Sequence, residues 1–215
     1  MTSLAQSVID TALTMSRSGL SAGRSGNVSV RDGGRDVARV LITPTGMAYD
    51  ALVPADVVSM DLEGQVPAGS RKPSSEWLFH AAIYAARPDV EAIVHTHSNA
   101  ATALACVEEG IPAFHYMVAA AGGRDIRCTP YATFGTKALA AHAVAALLDR
   151  KACLLAHHGV IACGRSLEKA YDLAVEVETL ADQFIRARQL GSVPILSDVE
   201  MDNVLQKFQS YGQQE

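Results

Sequence analysis

The sequence predicts one α/β domain, spanning residues 1–215, and three observations carry that reading. Its 215 residues lie within the size of one domain and are enough to bury a sizeable core. Short apolar or alternating runs are interleaved with segments of helical period. No internal repeat, low-complexity stretch or linker breaks the series. Strands and helices alternate only loosely, so a doubly wound parallel sheet is not implied.

The elements follow in order. "SLAQSVIDTALTMSRSGL" places Leu4, Val8, Ile9, Ala12 and Leu13 at helical spacing, with Ser3 as a capping residue and Gly19 weakening the end. "GNVSVR" alternates Val28 and Val30 with polar neighbours, a strand pattern. "ARVLITP" is a second strand, turned by Pro44 and Gly46, and "DVVSMDLEGQ" is a third, leaving through Gly64. A loop leads to a helix from about Ser75 to Ala86. "VEAIVHTH" is an apolar strand ending on histidines, and "SNAATALACVEEG" is a helix stopped by Gly110. "IPAFHYMVAAAGG" is apolar up to a Gly-Gly break, with Tyr116 read at a strand end; "DIRCTPYATFGT" is irregular. "KALAAHAVAALLDR" is a helix, and "ACLLAHHGVIACG" is two short strands around His157, His158 and Gly159. A long helix, "SLEKAYDLAVEVETLADQFIRARQL", begins near Ser166 and Glu168, and a short one, "SDVEMDNVLQKF", precedes the tail "QSYGQQE".

Composition excludes several classes. Hydrophobic residues make up 49% and charged residues 19%, ordinary for a globular protein. A net charge of −5 argues against a general nucleic-acid binder, which needs a basic face. Cys106, Cys128, Cys153 and Cys163 form no close CxxC pair, which argues against a structural zinc cluster and for reduced thiols in a cytoplasmic enzyme. No apolar run approaches the ~20 residues of a membrane span. "MTSLAQSVID" has no basic region and contains Asp10, so it is not expected to be a signal peptide.

Two groups of residues carry chemistry. In a strand, residues two apart project to one face, so His95 and His97 of "VHTH" point the same way. "HHG" adds His157 and His158, and Glu76 opens a helix after Ser74 and Ser75. An HxH alone suits structural histidines as well as ligands. Together with "HHG" and the Ser-Ser-Glu step, three imidazoles and a carboxylate suit Zn²⁺ with one replaceable position. The second group suits an anion: Ser25, Gly26 and Asn27 in a turn, Thr45 and Gly46 in "TPTG", and Ser74 and Ser75 at a helix N-terminus. Each is equally an ordinary turn or cap, and none matches a Walker or dinucleotide fingerprint.

Together "GNVSVR", "LITPTG", "PSSEW", "VHTH", "IPAFHYMVAAAGG", "PYATFGT", "LLAHHGVIAC", "LEKA" and "KFQSYG" resemble the class II aldolase/adducin family, nearest its L-fuculose-1-phosphate aldolase branch. The matching stretches run from about residue 4 to residue 212, and "HYMVAAAGG" and "PYATFGT" are more specific than the HxH. The resemblance implies a three-layer α/β/α fold with a largely antiparallel central sheet. It also implies a homotetramer with active sites between subunits, a small phosphorylated sugar as substrate, and no nucleic-acid or membrane partner. By the same resemblance His95, His97 and His158 are metal ligands, with His157 structural. Zn²⁺ is the implied ion, with Mn²⁺ or Co²⁺ as substitutes. Glu76 is a fourth ligand at rest and a proton shuttle in turnover. Asn27, Thr45, Gly46, Ser74 and Ser75 contact phosphate, Tyr116 reaches the neighbouring subunit's site as an acid/base, and Tyr211 closes the pocket. Arg24 departs from the branch, which often has Thr there, and could add a charge-assisted phosphate contact.

The implied reaction is retro-aldol cleavage of a ketose 1-phosphate to dihydroxyacetone phosphate and an aldehyde. Tyr116 takes the C4 hydroxyl proton, and Glu76 protonates the product carbon. Lys72, Lys137, Lys151, Lys169 and Lys207 lie in polar contexts, which disfavours a Schiff base. L-Fuculose 1-phosphate is the branch's namesake; 5-deoxyribulose 1-phosphate and 5-methylthioribulose 1-phosphate are alternatives. Pentulose-phosphate epimerase or decarboxylase chemistry on the same scaffold ranks lower. So does a non-catalytic adducin-like module, given His95, His97, His158, Glu76 and Tyr116 together.

Overall fold

In the computed structural model, which describes residues 2–33 and 39–209, the strands join one sheet. They are β1 (Asn27–Arg31), β2 (Arg39–Ile42), β3 (Val58–Asp61), β4 (Ala92–Thr96), β5 (Arg127–Thr129), β6 (Ala152–Leu155) and β7 (Gly159–Gly164). Their order is β3-β2-β1-β4-β7-β6-β5, and every neighbouring pair is antiparallel except β5 with β6. The helices are α1 (Leu4–Arg17), α2 (Trp77–Ala86), α3 (Asn99–Cys106), α4 (Lys137–Ala146), α5 (Leu167–Leu190) and α6 (Asp198–Gln209). α1, α3, α5 and α6 cover one face of the sheet; α2 and α4 cover the other. The expected three layers with a largely antiparallel sheet are present.

The strand period sorts side chains between the two cores. Val28, Val30, Ala92, Val94, Val160 and Ala162 face the α1–α5 side. Ile93, Cys153, Leu155, Ile161 and Cys163 face α2 and α4. α5 supplies Leu167, Ala170, Leu173, Ala174, Val177, Leu180, Ala181 and Phe184 at spacings of three and one, a single helical stripe. Ser166 Oγ accepts from the Lys169 N–H at 3.2 Å and Ser3 Oγ from Gln6 N–H at 3.2 Å, as the caps predict.

Four details differ from the sequence reading. The alternation in β1 does not mark a wet face: Asn27, Ser29 and Arg31 are as buried as the valines, because α2 covers them. The irregular "DIRCT" holds β5, a three-residue parallel edge strand whose register comes from β6 rather than from its own pattern. Tyr116 is not at a strand end but opens a 3₁₀ helix, Tyr116–Ala121, whose first turn is capped by His115 Nδ1 accepting from Met117 N–H at 3.2 Å. α3 stops at Cys106, short of Gly110, and Glu108 adopts a φ of +57° where the chain leaves it. Tyr211 lies outside the described residues.

Candidate metal and phosphate site

Four side chains converge at the open end of the central strands. His95 is the penultimate residue of β4, paired with Asn27 of β1 on one side and Ile161 of β7 on the other. His97 follows one residue after β4 and faces the same way, as the two-residue period requires. His158 ends the three-residue turn between β6 and β7, in which Leu155 pairs with Gly159. The turn closes because His157 takes a φ of +54°, the left-handed region that His tolerates better than most residues. Gly159 is needed for a different reason: a Cβ there would sit 2.3 Å from the Thr96 carbonyl oxygen and 3.1 Å from His97 Cδ2. Glu76 stands at the N-cap position of α2.

One potential donor atom from each of Glu76, His95, His97 and His158 falls within 4.8 Å of all the others. His95 Nε2 is 3.1 Å from Glu76 Oε2, His158 Nε2 is 3.0 Å from Glu76 Oε1, and His95 and His97 bring their Nε2 atoms to 2.9 Å. His95 Nδ1 donates to the Val160 carbonyl at 2.8 Å, so its Nε2 turns a lone pair to the centre. Glu76 Oε1 is buried and accepts no hydrogen bond, although His158 Nε2 lies 3.0 Å away. A buried carboxylate oxygen without a donor and a lone pair held toward it fit a divalent cation. Burial pushes the Glu76 carboxyl up, but the neighbouring His95 and His158 outweigh it and hold the group well below the usual carboxylate range. Burial, reinforced by His95 and His158, pushes His97 down to about 4, so it is neutral and able to ligate at pH 7.

Glu76, His97 and His158 open onto a cavity of about 330 Å³, which Arg24, Thr45, Gly46 and Ser75 also line. Asn27, Thr45, Gly46, Ser74 and Ser75 line the same cavity as three members of the cluster. Gly26 also lines it and must be glycine: its φ is +82°, and a Cβ would meet the His95 carbonyl oxygen at 2.6 Å. Arg24 Nη1 donates to the Gly46 carbonyl at 3.0 Å and is the one Lys or Arg lining the cavity among the described residues. Asn27 lines the cavity, but its amide is committed: Nδ2 donates to Glu76 Oε2 at 3.0 Å and Oδ1 accepts from His80.

Three features were not singled out from sequence. Tyr131 and Phe134 stand exposed at the cavity wall, and "PYATFGT" marked the stretch without assigning those rings. His80 is fully buried beneath the cluster; a histidine inside an apolar helical run gives no signal of its own. Tyr116 does not line this cavity. It is half exposed beside a separate cleft formed with Phe114, Met117, Leu196 and Phe208. His157 stays outside the cluster, 3.2 Å from Glu108. No helix among the described residues is long and apolar enough to cross a membrane.

Comparison with known proteins agrees with this geometry. The family model for the class II aldolase and adducin N-terminal domain matches residues 6–185. The 5-methylthioribulose-1-phosphate/5-deoxyribulose-1-phosphate aldolase of Rhodospirillum rubrum is 54% identical over 97% of this chain and 92% of its own. The L-fuculose phosphate aldolase of Escherichia coli K12 is 50% identical over 97% of this chain and 95% of its own. A solved L-fuculose 1-phosphate aldolase superposes with a TM-score of 0.92 at 40% identity, covering 97% of this chain and 98% of that one.

Proposed function

The chain belongs to the class II aldolase and adducin family as a metal-dependent lyase acting on a ketose 1-phosphate, and from that premise we propose that it cleaves a ketose whose aldehyde half ends in an apolar group. L-Fuculose 1-phosphate, 5-deoxyribulose 1-phosphate and 5-methylthioribulose 1-phosphate all qualify, each giving dihydroxyacetone phosphate. The observation that carries the proposal is a single cavity lined by three kinds of residue. Arg24, Thr45, Gly46, Ser74 and Ser75 offer a cation, hydroxyls and turn amides to a phosphate. Glu76, His97 and His158 of the metal cluster line the same cavity, and the exposed rings of Tyr131 and Phe134 add an apolar surface to it.

His95, His97 and His158 would hold zinc, or manganese or cobalt in its place, with Glu76 as the fourth donor. The ion's chemistry is to polarise the ketose carbonyl and stabilise negative charge beside it. Glu76 carries the proton to and from the carbon next to that carbonyl, and its Oε1, which accepts no hydrogen bond, is the atom it would offer to the ion at rest and to the substrate in turnover. All five lysines are exposed, so none is in the desolvated setting that makes an amine a Schiff-base nucleophile. Tyr116 takes the C4 hydroxyl proton in a neighbouring subunit's site, in a homotetramer of chains that each form one aldolase-like unit over residues 1–215. Its place outside its own chain's cavity supports that reading.

The test is kcat/KM for the three ketose 1-phosphates, with dihydroxyacetone phosphate as the measured product. At least one should be cleaved, with activity removed by a chelator and restored by a divalent metal. Failure of all three to yield dihydroxyacetone phosphate in metal-loaded protein would overturn the substrate class.

A further inference from the structure

A buried chain of hydrogen bonds runs from the far side of α2 to the carboxylate of Glu76. Tyr84 Oη lies 2.8 Å from Ser29 Oγ, and Ser29 Oγ lies 2.7 Å from His80 Nδ1. His80 Nε2 bonds Asn27 Oδ1, and Asn27 Nδ2 donates to Glu76 Oε2 at 3.0 Å. Ser29, His80 and Tyr84 are at most 1% exposed, and Asn27 is 3% exposed, so water does not share these bonds.

The direction of every bond is fixed from the Glu76 end. A carboxylate only accepts, so Asn27 must present its NH₂ to Glu76 and its carbonyl to His80. That carbonyl only accepts, so His80 must carry its proton on Nε2. Burial, then the neighbouring His95, push His80 down to about 3, so it is neutral and has only that one proton. Its Nδ1 therefore accepts from the Ser29 hydroxyl, which in turn accepts from Tyr84. All the donors point toward Glu76.

We infer that His80 is a positioning residue for catalysis: through Asn27 it pins Glu76 Oε2 and leaves Oε1 as the oxygen that exchanges a proton with substrate. This rests on the reading of Glu76 as the proton carrier. Each oxygen of Glu76 has a histidine near it, His95 beside Oε2 and His158 beside Oε1, but Oε2 accepts a hydrogen bond from Asn27 and Oε1 accepts none. A carboxylate free to rotate would exchange the two positions, and a pinned one keeps Oε1 as the atom without a donor. The same chain accounts for the polar face of β1, which is buried at Asn27 and Ser29 for this purpose rather than wetted.

The experiment uses metal-loaded protein and the exchange of the dihydroxyacetone phosphate C3 proton with solvent. His80→Phe keeps a ring but offers no donor to Asn27. His80→Gln offers one donor and one acceptor. His80→Phe should slow exchange at least about tenfold, the scale of losing a partner behind a metal site, while KM and bound metal change less than about twofold. His80→Gln should recover most of the rate. In a Glu76→Gln background, His80→Phe should add no further loss. Independently of activity, ¹⁵N spectra of wild-type protein should show His80 as the neutral Nε2–H tautomer from pH 6 to 8. Should His80→Phe not fold, Ser29→Ala tests the same chain and should slow exchange with metal retained. Wild-type exchange in the variant that folds, loss of metal in it, a further loss in the Glu76→Gln background, or an Nδ1–H tautomer would each overturn the inference. A Glu76→Gln protein exchanging at the wild-type rate would instead sink the underlying role of Glu76.

Discussion

His157 and His158 are neighbours in sequence and opposite in circumstance. The left-handed backbone at His157 points its ring out beside Glu108, and the next residue enters the metal cluster. Nothing in "HHG" itself decides between them; the family resemblance pointed to the second, and the turn shows why. His158→Ala should therefore lose bound metal and more than about a hundredfold in activity, beyond the usual cost of an outer partner. His157→Ala should keep its metal, and metal analysis of the two purified proteins checks both. His95 and His97 were legible because the two-residue period of a strand is rigid. His80 was not, because its partners Ser29 and Asn27 lie about fifty residues away in sequence. Its burial has a measurable consequence. The unfolded chain protonates this histidine near pH 6.5, whereas the folded protein refuses the proton down to about 3. Below pH 6.5 the unfolded state binds the extra proton, so stability falls as pH falls, by about 1.4 kcal/mol per pH unit from this residue. Urea unfolding between pH 6.5 and 4.5 should show a shallower decline in His80→Gln. An unchanged slope would mean that His80 protonates in the folded state.

At the scale of elements, the helices were easier to read than the edges. α1 and α5 carry strong stripes and side-chain caps, both of which are local in sequence. β5 and the 3₁₀ helix at Tyr116 are short, and their form is set by what they pack against. α3 shows the same dependence at its start. Ser98 makes no side-chain cap there; Glu178 of α5 accepts instead from Ala100 N–H at 2.8 Å and Ala101 N–H at 2.9 Å. A carboxylate on the free amides of a helix start is favoured by both the bonds and the helix dipole. Glu178→Ala should cost about 2 kcal/mol, lowering Tm by roughly 4–8 °C for a chain of this size. A change below 1 °C by calorimetry would show that solvent satisfies those amides equally well.

At the scale of the molecule, the candidate metal and phosphate residues lie in separate stretches of sequence, and the fold brings them to one cavity. β1 and β4 carry Asn27 and His95 side by side, and the turn before α2 carries Ser74 to Glu76 between the two groups. Tyr116 stands apart from that cavity; under the proposal that it serves a neighbouring subunit, a complete site is a property of the oligomer. Mixed oligomers of Tyr116→Phe and His95→Ala chains should recover activity well above either parent. No recovery in mixed oligomers verified by mass spectrometry would place Tyr116 outside the reaction. The role proposed for Glu76 needs no second chain's chemistry: it moves a proton at the carbon beside the carbonyl of a phosphate-anchored ketone. Its most direct test is the exchange of the dihydroxyacetone phosphate C3 proton in deuterated water, without any aldehyde. Metal-loaded wild type should exchange it, and Glu76→Gln should exchange it about 10²–10⁴-fold more slowly while still holding metal. Equal rates in the two proteins would contradict the account.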